Sequence, residues 1–328
     1  MAARIGVGVI GAGKHGQRYV AHAVRDVPRL RVVALSRRDA AAGAAQAREL
    51  GARFHADWRD LVADPDVAAV VSVVPPTLHL EIAGAVAAAR KPLLIEKPLA
   101  PTGAQARDVA RVLRDGGAPV VMAHTLRWNT AVQAIRERLA TMGPLRTLVV
   151  NQRFEPSTLA WLDDPALCGG GIMLHTGVHS FDLVRHLTGR EPIRVVCRTA
   201  KANTIRTEDN FAALMVLDGS DALVCVNGSR ATLGRSGMID AACEAGQIVG
   251  DHQQHVAVTV RGLERTPLPL PAPAMTVRAV LESLVALLDR GEPPPAALED
   301  GVRSVQIVDA CRASAAGGGW ADVPPLGL

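Results

Sequence analysis

Arg4-Ile5-Gly6-Val7-Gly8-Val9-Ile10-Gly11-Ala12-Gly13-Lys14-His15-Gly16 runs from a β-branched apolar strand straight into the spacing G-x-G-x-x-G. That spacing has a mechanical meaning. Gly11 makes a tight turn, Gly13 lets the backbone approach a pyrophosphate, and Gly16 lets the following helix pack on the strand. The amides at the start of that helix then bind the phosphates of a dinucleotide, with Ala12, Lys14 and His15 among the expected cofactor residues.

Outward from this turn, Arg31 to Leu35, Ala68 to Val74, Pro92 to Ile95 and Val120 to Ala123 are further short apolar runs. Ala-rich amphipathic stretches such as Asp39 to Leu50 and His79 to Ala89 separate them. Near-continuous apolar strands alternating with helices of about a dozen residues predict βαβ units and a parallel sheet covered on both faces. Residues 1–124 are therefore expected to form a doubly wound Rossmann domain.

The pattern then changes. A helix at Ala131 to Ala140, a long strand at Arg146 to Phe154 and an amphipathic helix at Ile172 to Leu187 precede a series of strands. These are Arg194 to Arg198, Phe211 to Leu217, Ala222 to Ser229, Met238 to Glu244 and Val256 to Val260. Strands in series predict an α+β domain over residues 125–328 with a mixed, mostly antiparallel open sheet. A Pro-rich connector, Pro267 to Pro273, leads to helices at Thr276 to Leu288 and Leu298 to Ala313. The last helix is expected to pack back on the Rossmann domain.

Composition agrees with an α/β chain of two domains. The 328 residues are 48% hydrophobic and 21% charged, which is ordinary for a folded protein with a real core. Thirty-six cations against 32 anions, with no long run of one sign, argue against a nucleic-acid or membrane-surface partner. The five cysteines, Cys168, Cys197, Cys225, Cys243 and Cys311, lie far apart and form no C-x-x-C, which points to a reduced cytoplasm without a thiolate metal site. No segment reads as a signal peptide or a membrane span.

The second strand ends Val33-Ala34-Leu35-Ser36-Arg37-Arg38, where an NAD-specific site would carry Asp or Glu for the ribose 2′-hydroxyl. Ser36, Arg37 and Arg38 suit a 2′-phosphate instead, so NADP is favoured over NAD. Only four lysines occur in the chain. One of them, Lys97, stands in Glu96-Lys97-Pro98 at the carboxyl end of a strand, where ligands bind in open α/β sheets.

Together these segments resemble the Gfo/Idh/MocA oxidoreductases over nearly the whole chain. Val74-Pro75-Pro76-Thr77-Leu78-His79 is similar to the family segment that crosses the cofactor, and Glu96-Lys97-Pro98 to its most recognisable signature. Arg127-Trp128 resembles the Arg-aromatic pair at the domain junction, and Gly169 to Asp182 the glycine-led helix with the catalytic histidine. The resemblance implies hydride transfer between a nicotinamide and a sugar, cyclitol or related carbonyl, in a homodimer or homotetramer built on the C-terminal sheet. It further implies that Lys97 polarises the reacting oxygen and that His179 is the acid or base. Val74, Pro75, His79 and Glu96 join the cofactor site by the same likeness, and Arg127, Trp128 and Asp182 the substrate site; Trp161, in the loop before the helix, and His175 are expected to line that substrate site as well. An imidazole titrating near neutrality suits the proton transfer, and an ammonium stabilises a developing alkoxide.

The family usually has Asp four residues before the catalytic His, where this chain has His175. In a regular helix the two positions share a face, so both imidazoles are expected in the pocket, and which of them moves the proton stays open. His175, His179, Asp182 and His186 make one helical stripe, yet span three turns, too far for one ion to bind all four. No metal is expected, and His186 reads as a satisfied buried histidine. Of the remaining histidines only His124, ending the last Rossmann strand, is placed near the nicotinamide. Pocket walls are expected from loops around Trp128, Trp161 and Arg230. A catalytically silent NAD(P)-sensing protein on the same fold is the alternative.

Overall fold

The computed structural model describes residues 3–328. Its first half is built from β1 (Ile5–Ile10), α1 (Gly16–Arg25), β2 (Leu30–Ser36), α2 (Ala40–Leu50), β3 (Arg53–His55), α3 (Trp58–Ala63), β4 (Ala69–Ser72), α4 (His79–Ala88), β5 (Leu93–Glu96), α5 (Gly103–Asp115) and β6 (Val120–Ala123). The six strands pair in parallel in the order β3-β2-β1-β4-β5-β6. Order reverses between β1 and β4, and the crevice at their carboxyl ends is the place where such sheets bind ligands. Val7, Val9, Val70, Leu94, Ile95 and Val121 are almost wholly buried, as a sheet covered on both faces requires.

Two glycines of the first turn are sterically required. Gly11 has a positive φ of 84°, and a Cβ there would lie 2.2 Å from the Val73 carbonyl oxygen. A Cβ on Gly16 would lie 2.2 Å from the Gly11 carbonyl oxygen, so only glycine lets α1 start against the strand.

The second half contains α6 (Thr130–Leu139), β7 (Leu145–Arg153), α7 (Pro165–Cys168), α8 (Val178–Thr188), β8 (Pro192–Ala200), β9 (Asn210–Leu217), β10 (Ser220–Ser229), β11 (Ser236–Cys243), β12 (Gly246–Asp251), β13 (Val256–Arg261), β14 (Glu264–Pro267), α9 (Thr276–Arg290), α10 (Leu298–Gly317) and β15 (Ala321–Asp322). Nine strands form one sheet, β14-β13-β12-β11-β7-β10-β9-β8-β15. Only β7 and β10 pair in parallel; every other neighbour is antiparallel. One face carries α6, α8 and α10.

The two closing helices join the halves. Helix α9 packs on α1 and β6, with Arg29 donating to Asp289 at 2.7 and 2.8 Å. Helix α10 packs on α5 and β6 of the first half and on α8 and β8 of the second. Its buried residues surround it, from Val302 through Arg303, Val305, Gln306 and Ile307, which explains why it shows little amphipathic pattern.

The expected helix from Ile172 to Leu187 is not regular. Met173–Gly177 winds as a wider π-type turn, and α8 begins only at Val178. Such an inserted residue changes which side chains share a face, so plain i, i+4 spacing does not describe His175 and His179. Strands β3, β12 and β14 escape the pattern of long apolar runs because they are short or flanked by glycine.

Candidate active site

A cavity of about 600 Å³ opens at the carboxyl ends of β1, β4 and β5. Its walls are the Gly-rich turn with Lys14, His15 and Arg18, the segment Val73 to Pro76, and Glu96 to Pro98. Trp161, His175 and Arg230 close it from the second half. A larger cleft of about 720 Å³, beside Arg136 and His186, lies between α6, α8 and the start of β10. It contains none of the motif residues.

The turn fits a dinucleotide. Nothing would lie within 4 Å of a Cβ on Gly13, so the backbone there is open to a ligand. His15 caps α1 without a side-chain hydrogen bond, and no acid stands in the first helical turn. Free amides and exposed Lys14 and Arg18 make that end attractive to a pyrophosphate. At the adenosine end Ser36 is buried, its carbonyl accepting from Gly11 at 2.9 Å and Ala12 at 3.2 Å. Arg37 is half-buried and Arg38 exposed. The next acid, Asp39, is occupied as the cap of α2, accepting from the Ala42 amide at 3.0 Å.

Glu96 is placed as a positioning group beneath the cavity. One carboxylate oxygen accepts from Tyr19 at 2.6 Å and pairs with His15 at 2.8 Å, while the other accepts from the Lys97 amide at 2.9 Å. Burial works against its charge, but His15, Lys97 and Tyr19 overcome that and hold its pKa at about 2. Tyr19 was not legible as a partner, since its spacing from Glu96 carries no motif. Lys97 donates to the His175 carbonyl at 2.8 Å. Burial draws its pKa below the usual lysine range, Glu96 opposing and Arg230 assisting.

The histidines cluster without being paired. Nε2 of His175 and Nδ1 of His179 are buried with no partner. The His175 ring meets Trp161 edge to face at 5.9 Å, and the His179 ring meets His124 in the same manner at 6.1 Å. Burial, then the charge of Lys97, lowers the pKa of His175 to about 3 and that of His179 well below its ordinary value. Burial therefore favours the neutral form of both rings and works against the titration near neutrality expected from sequence. Burial likewise lowers His124, and lowers His252 to about 4. His252 was missed from sequence because it approaches from the end of β12, far along the chain.

Several expected substrate ligands lie elsewhere. Arg127 forms a two-pronged pair with Asp182, Nε to Oδ2 at 2.9 Å and Nη2 to Oδ1 at 2.7 Å, and both residues are buried. Asp300 and Arg185 extend this into a network joining the segment that follows β6 with α8 and α10. Trp128 is also buried, donating to Ser283 at 2.8 Å, and so it anchors α9 instead of lining the cavity. His79 is fully buried against the Leu99 carbonyl at 3.0 Å, which places it under the cofactor segment and away from a ligand. His186 is half-buried with Nε2 unpartnered, so the expected satisfied histidine is not what the packing provides.

A parallel sheet with a glycine-rich turn, and a lysine and a histidine lining the cavity at its carboxyl edge, define a Rossmann-fold oxidoreductase. Family comparison is specific at both ends. The model of the oxidoreductase family with NAD-binding Rossmann fold matches residues 5–124, and that of the GFO/IDH/MocA C-terminal domain matches residues 132–249. Inositol 2-dehydrogenase 2 of Saccharopolyspora erythraea is 30% identical over 97% of this chain and 95% of its own length. Inositol 2-dehydrogenase of Rhizobium meliloti is 26% identical over 94% and 96%. An oxidoreductase domain protein of Kribbella flavida, 23% identical, has the same fold with a TM-score of 0.88 over 99% of this chain and 100% of that one. The chain belongs to the GFO/IDH/MocA oxidoreductase family.

Proposed function

We propose that this oxidoreductase transfers a hydride between a nicotinamide and a hydroxyl or carbonyl carbon of a sugar, cyclitol or related polyol, with NADP preferred to NAD. The observation that carries the reading is the meeting of Lys97 with the His175 segment on the wall of a cavity that also holds the Gly-rich turn. The residues of that turn, with Val74 and Pro75, would hold the cofactor, and Arg37 and Arg38 would grip a 2′-phosphate. The bound nicotinamide accepts or supplies the hydride.

In oxidation, Lys97 bonds the substrate oxygen and stabilises its alkoxide character. His179, neutral and without a partner on Nδ1, takes the hydroxyl proton. His175 hydrogen-bonds the substrate against Trp161. Reduction runs the same groups in reverse, Lys97 polarising the carbonyl and protonated His179 returning the proton.

The nine-stranded sheet supports a homo-oligomer. On its outer face Val196 pairs in register with Leu214, Leu214 with Cys225, and Cys225 with Val149. Leu223 is 72% exposed and Leu214 51%, an apolar patch of the kind that marks an interface. No helix among the described residues is long and apolar enough to cross a membrane.

Nicotinamide absorbance during incubation with a panel of sugars and cyclitols, run with NADP and NAD in parallel, tests the reading. Turnover of a polyol supports it. Tight cofactor binding with no turnover of any compound would move the protein to the cofactor-sensing alternative.

A further inference from the structure

We infer that the substrate carries a carboxylate and that Arg230 binds it. This rests on the dehydrogenase reading above and narrows its substrate class to polyhydroxylated acids such as uronic and aldonic acids. The observation is a charge without a counter-charge.

The ionic side chains lining the cavity are Lys14, Arg18, Glu96, Lys97 and Arg230. Lys14 and Arg18 flank the start of α1, where a pyrophosphate would sit. Glu96 lies against Lys97 and has its oxygens occupied by His15, Tyr19 and the Lys97 amide. Arg230 is left over. Its backbone is fixed by donating to the Asp209 carbonyl at 2.8 Å, immediately past β10.

Among the described residues the Arg230 guanidinium makes one hydrogen bond, Nη2 to the Thr176 hydroxyl at 3.1 Å, and forms no ion pair. Acids do stand behind it, but they are turned to other work. Asp163 accepts from the amides of Ile205, Arg206 and Thr207, Asp209 from those of Ala202 and Asn203, and Glu208 from that of Met173. Burial alone draws the Arg230 pKa down, with no acid opposing it. His175, which lines the same cavity, brings no negative charge.

A half-buried cation with no anionic partner is unfavourable unless a ligand supplies one. The planar fork of a guanidinium matches a carboxylate with two parallel hydrogen bonds. One uncompensated charge matches a monoanion, whereas a phosphate dianion would leave a charge unmatched in the enclosure. Lys97 remains free for the reacting oxygen, so the carboxylate is a handle that orients the substrate.

Calorimetry on the cofactor-loaded protein, with D-glucuronate and D-gluconate against D-glucose, myo-inositol and glucose 6-phosphate, tests this alongside turnover of the same compounds. The acids are expected to bind at least about 10-fold more tightly than the neutral compounds, through KM more than kcat. Arg230→Gln should lower the acid-to-neutral selectivity ratio by about 10- to 100-fold, the value of a charge-assisted pair, and Arg230→Lys should recover part of it. His175→Asp, which sets an anion against Arg230, should lower the same ratio. Equal binding of acids and neutral compounds, or a ratio unchanged in Arg230→Gln with cofactor affinity intact, would overturn the inference. So would preference for glucose 6-phosphate. Turnover of neutral polyols alone would sink this inference and leave the dehydrogenase reading standing, while Arg230-dependent binding of acids without turnover of anything would do the reverse.

Discussion

The Lys97 ammonium donates to the main-chain carbonyl of His175 at 2.8 Å, tying the end of β5 to the wide turn that precedes α8. One of its three protons is thereby fixed, and two remain for a ligand in the cavity. The bond sets the orientation of the lysine from the opposite half of the molecule, so the site exists only where both halves meet.

Lys97→Ala is expected to lose about 100-fold or more in turnover, the usual contribution of a positioned electrostatic group. Cofactor affinity should change little, because the role proposed for Lys97 is at the reacting oxygen. Fluorescence titration of cofactor beside steady-state rates checks both halves; near wild-type turnover would reject the role.

The pH profile follows from the two shifted groups. A base acts when neutral, so activity is present above the His179 pKa and lost as pH falls through it; that pKa is well below its ordinary value. Lys97 acts when charged, so activity is lost as pH rises through a pKa drawn below the usual lysine range. A plateau through neutrality is expected in kcat/KM, with its acid limb below the ordinary histidine range. His179→Ala should abolish that limb at a loss of about 100-fold, and His175→Ala should mainly raise KM. The opposite pattern would exchange the two roles.

Asp182→Ala removes the two-pronged partner of the buried Arg127 guanidinium and leaves it Asp300 alone, whereas Arg185 keeps both Asp300 and Glu191. Removing one member of a buried ion pair costs about 3–5 kcal/mol. Thermal denaturation should show Tm lowered by several degrees, and KM for substrate should hold in the folded fraction. A large KM change with unaltered Tm would return Asp182 to the substrate site.

NADP should bind more tightly than NAD, and Arg37→Ala should remove about 1.5–3 kcal/mol of that preference. Parallel calorimetric titrations decide it. Equal affinities, or an NAD preference untouched by the substitution, would reject the assignment.

Leu214→Glu or Leu223→Glu places a charge on the outer face of the nine-stranded sheet, where the residues are exposed in the single chain. Light scattering should report a smaller species than the wild-type assembly, with cofactor binding retained. Unchanged mass would place any interface elsewhere.

The Rossmann half was legible because its signals are local. A strand that runs into Gly11, Gly13 and Gly16 and then into a helix needs only neighbours along the chain to be understood. Residues 53–55 and 246–251 were not legible as strands, since three residues or a glycine-flanked segment form strands only when an existing edge pairs with them. Arg127 and Asp182 were recognisable as residues of the site region, yet nothing local shows that each is the other's partner across 55 positions.

Sequence by itself determined the α/β order, the glycine turn, and the presence of Lys97, His175 and His179, because strand period, turn sterics and residue chemistry act over a few residues. Tertiary structure alone decided that His175 and His179 are neutral, that Arg127, Trp128 and His79 turn away from the cavity, and that Arg230 enters it without a counter-ion. The reason is physical: burial and long-range charge set a pKa and the partner of an ionic group, and both depend on what the fold brings near from distant parts of the chain.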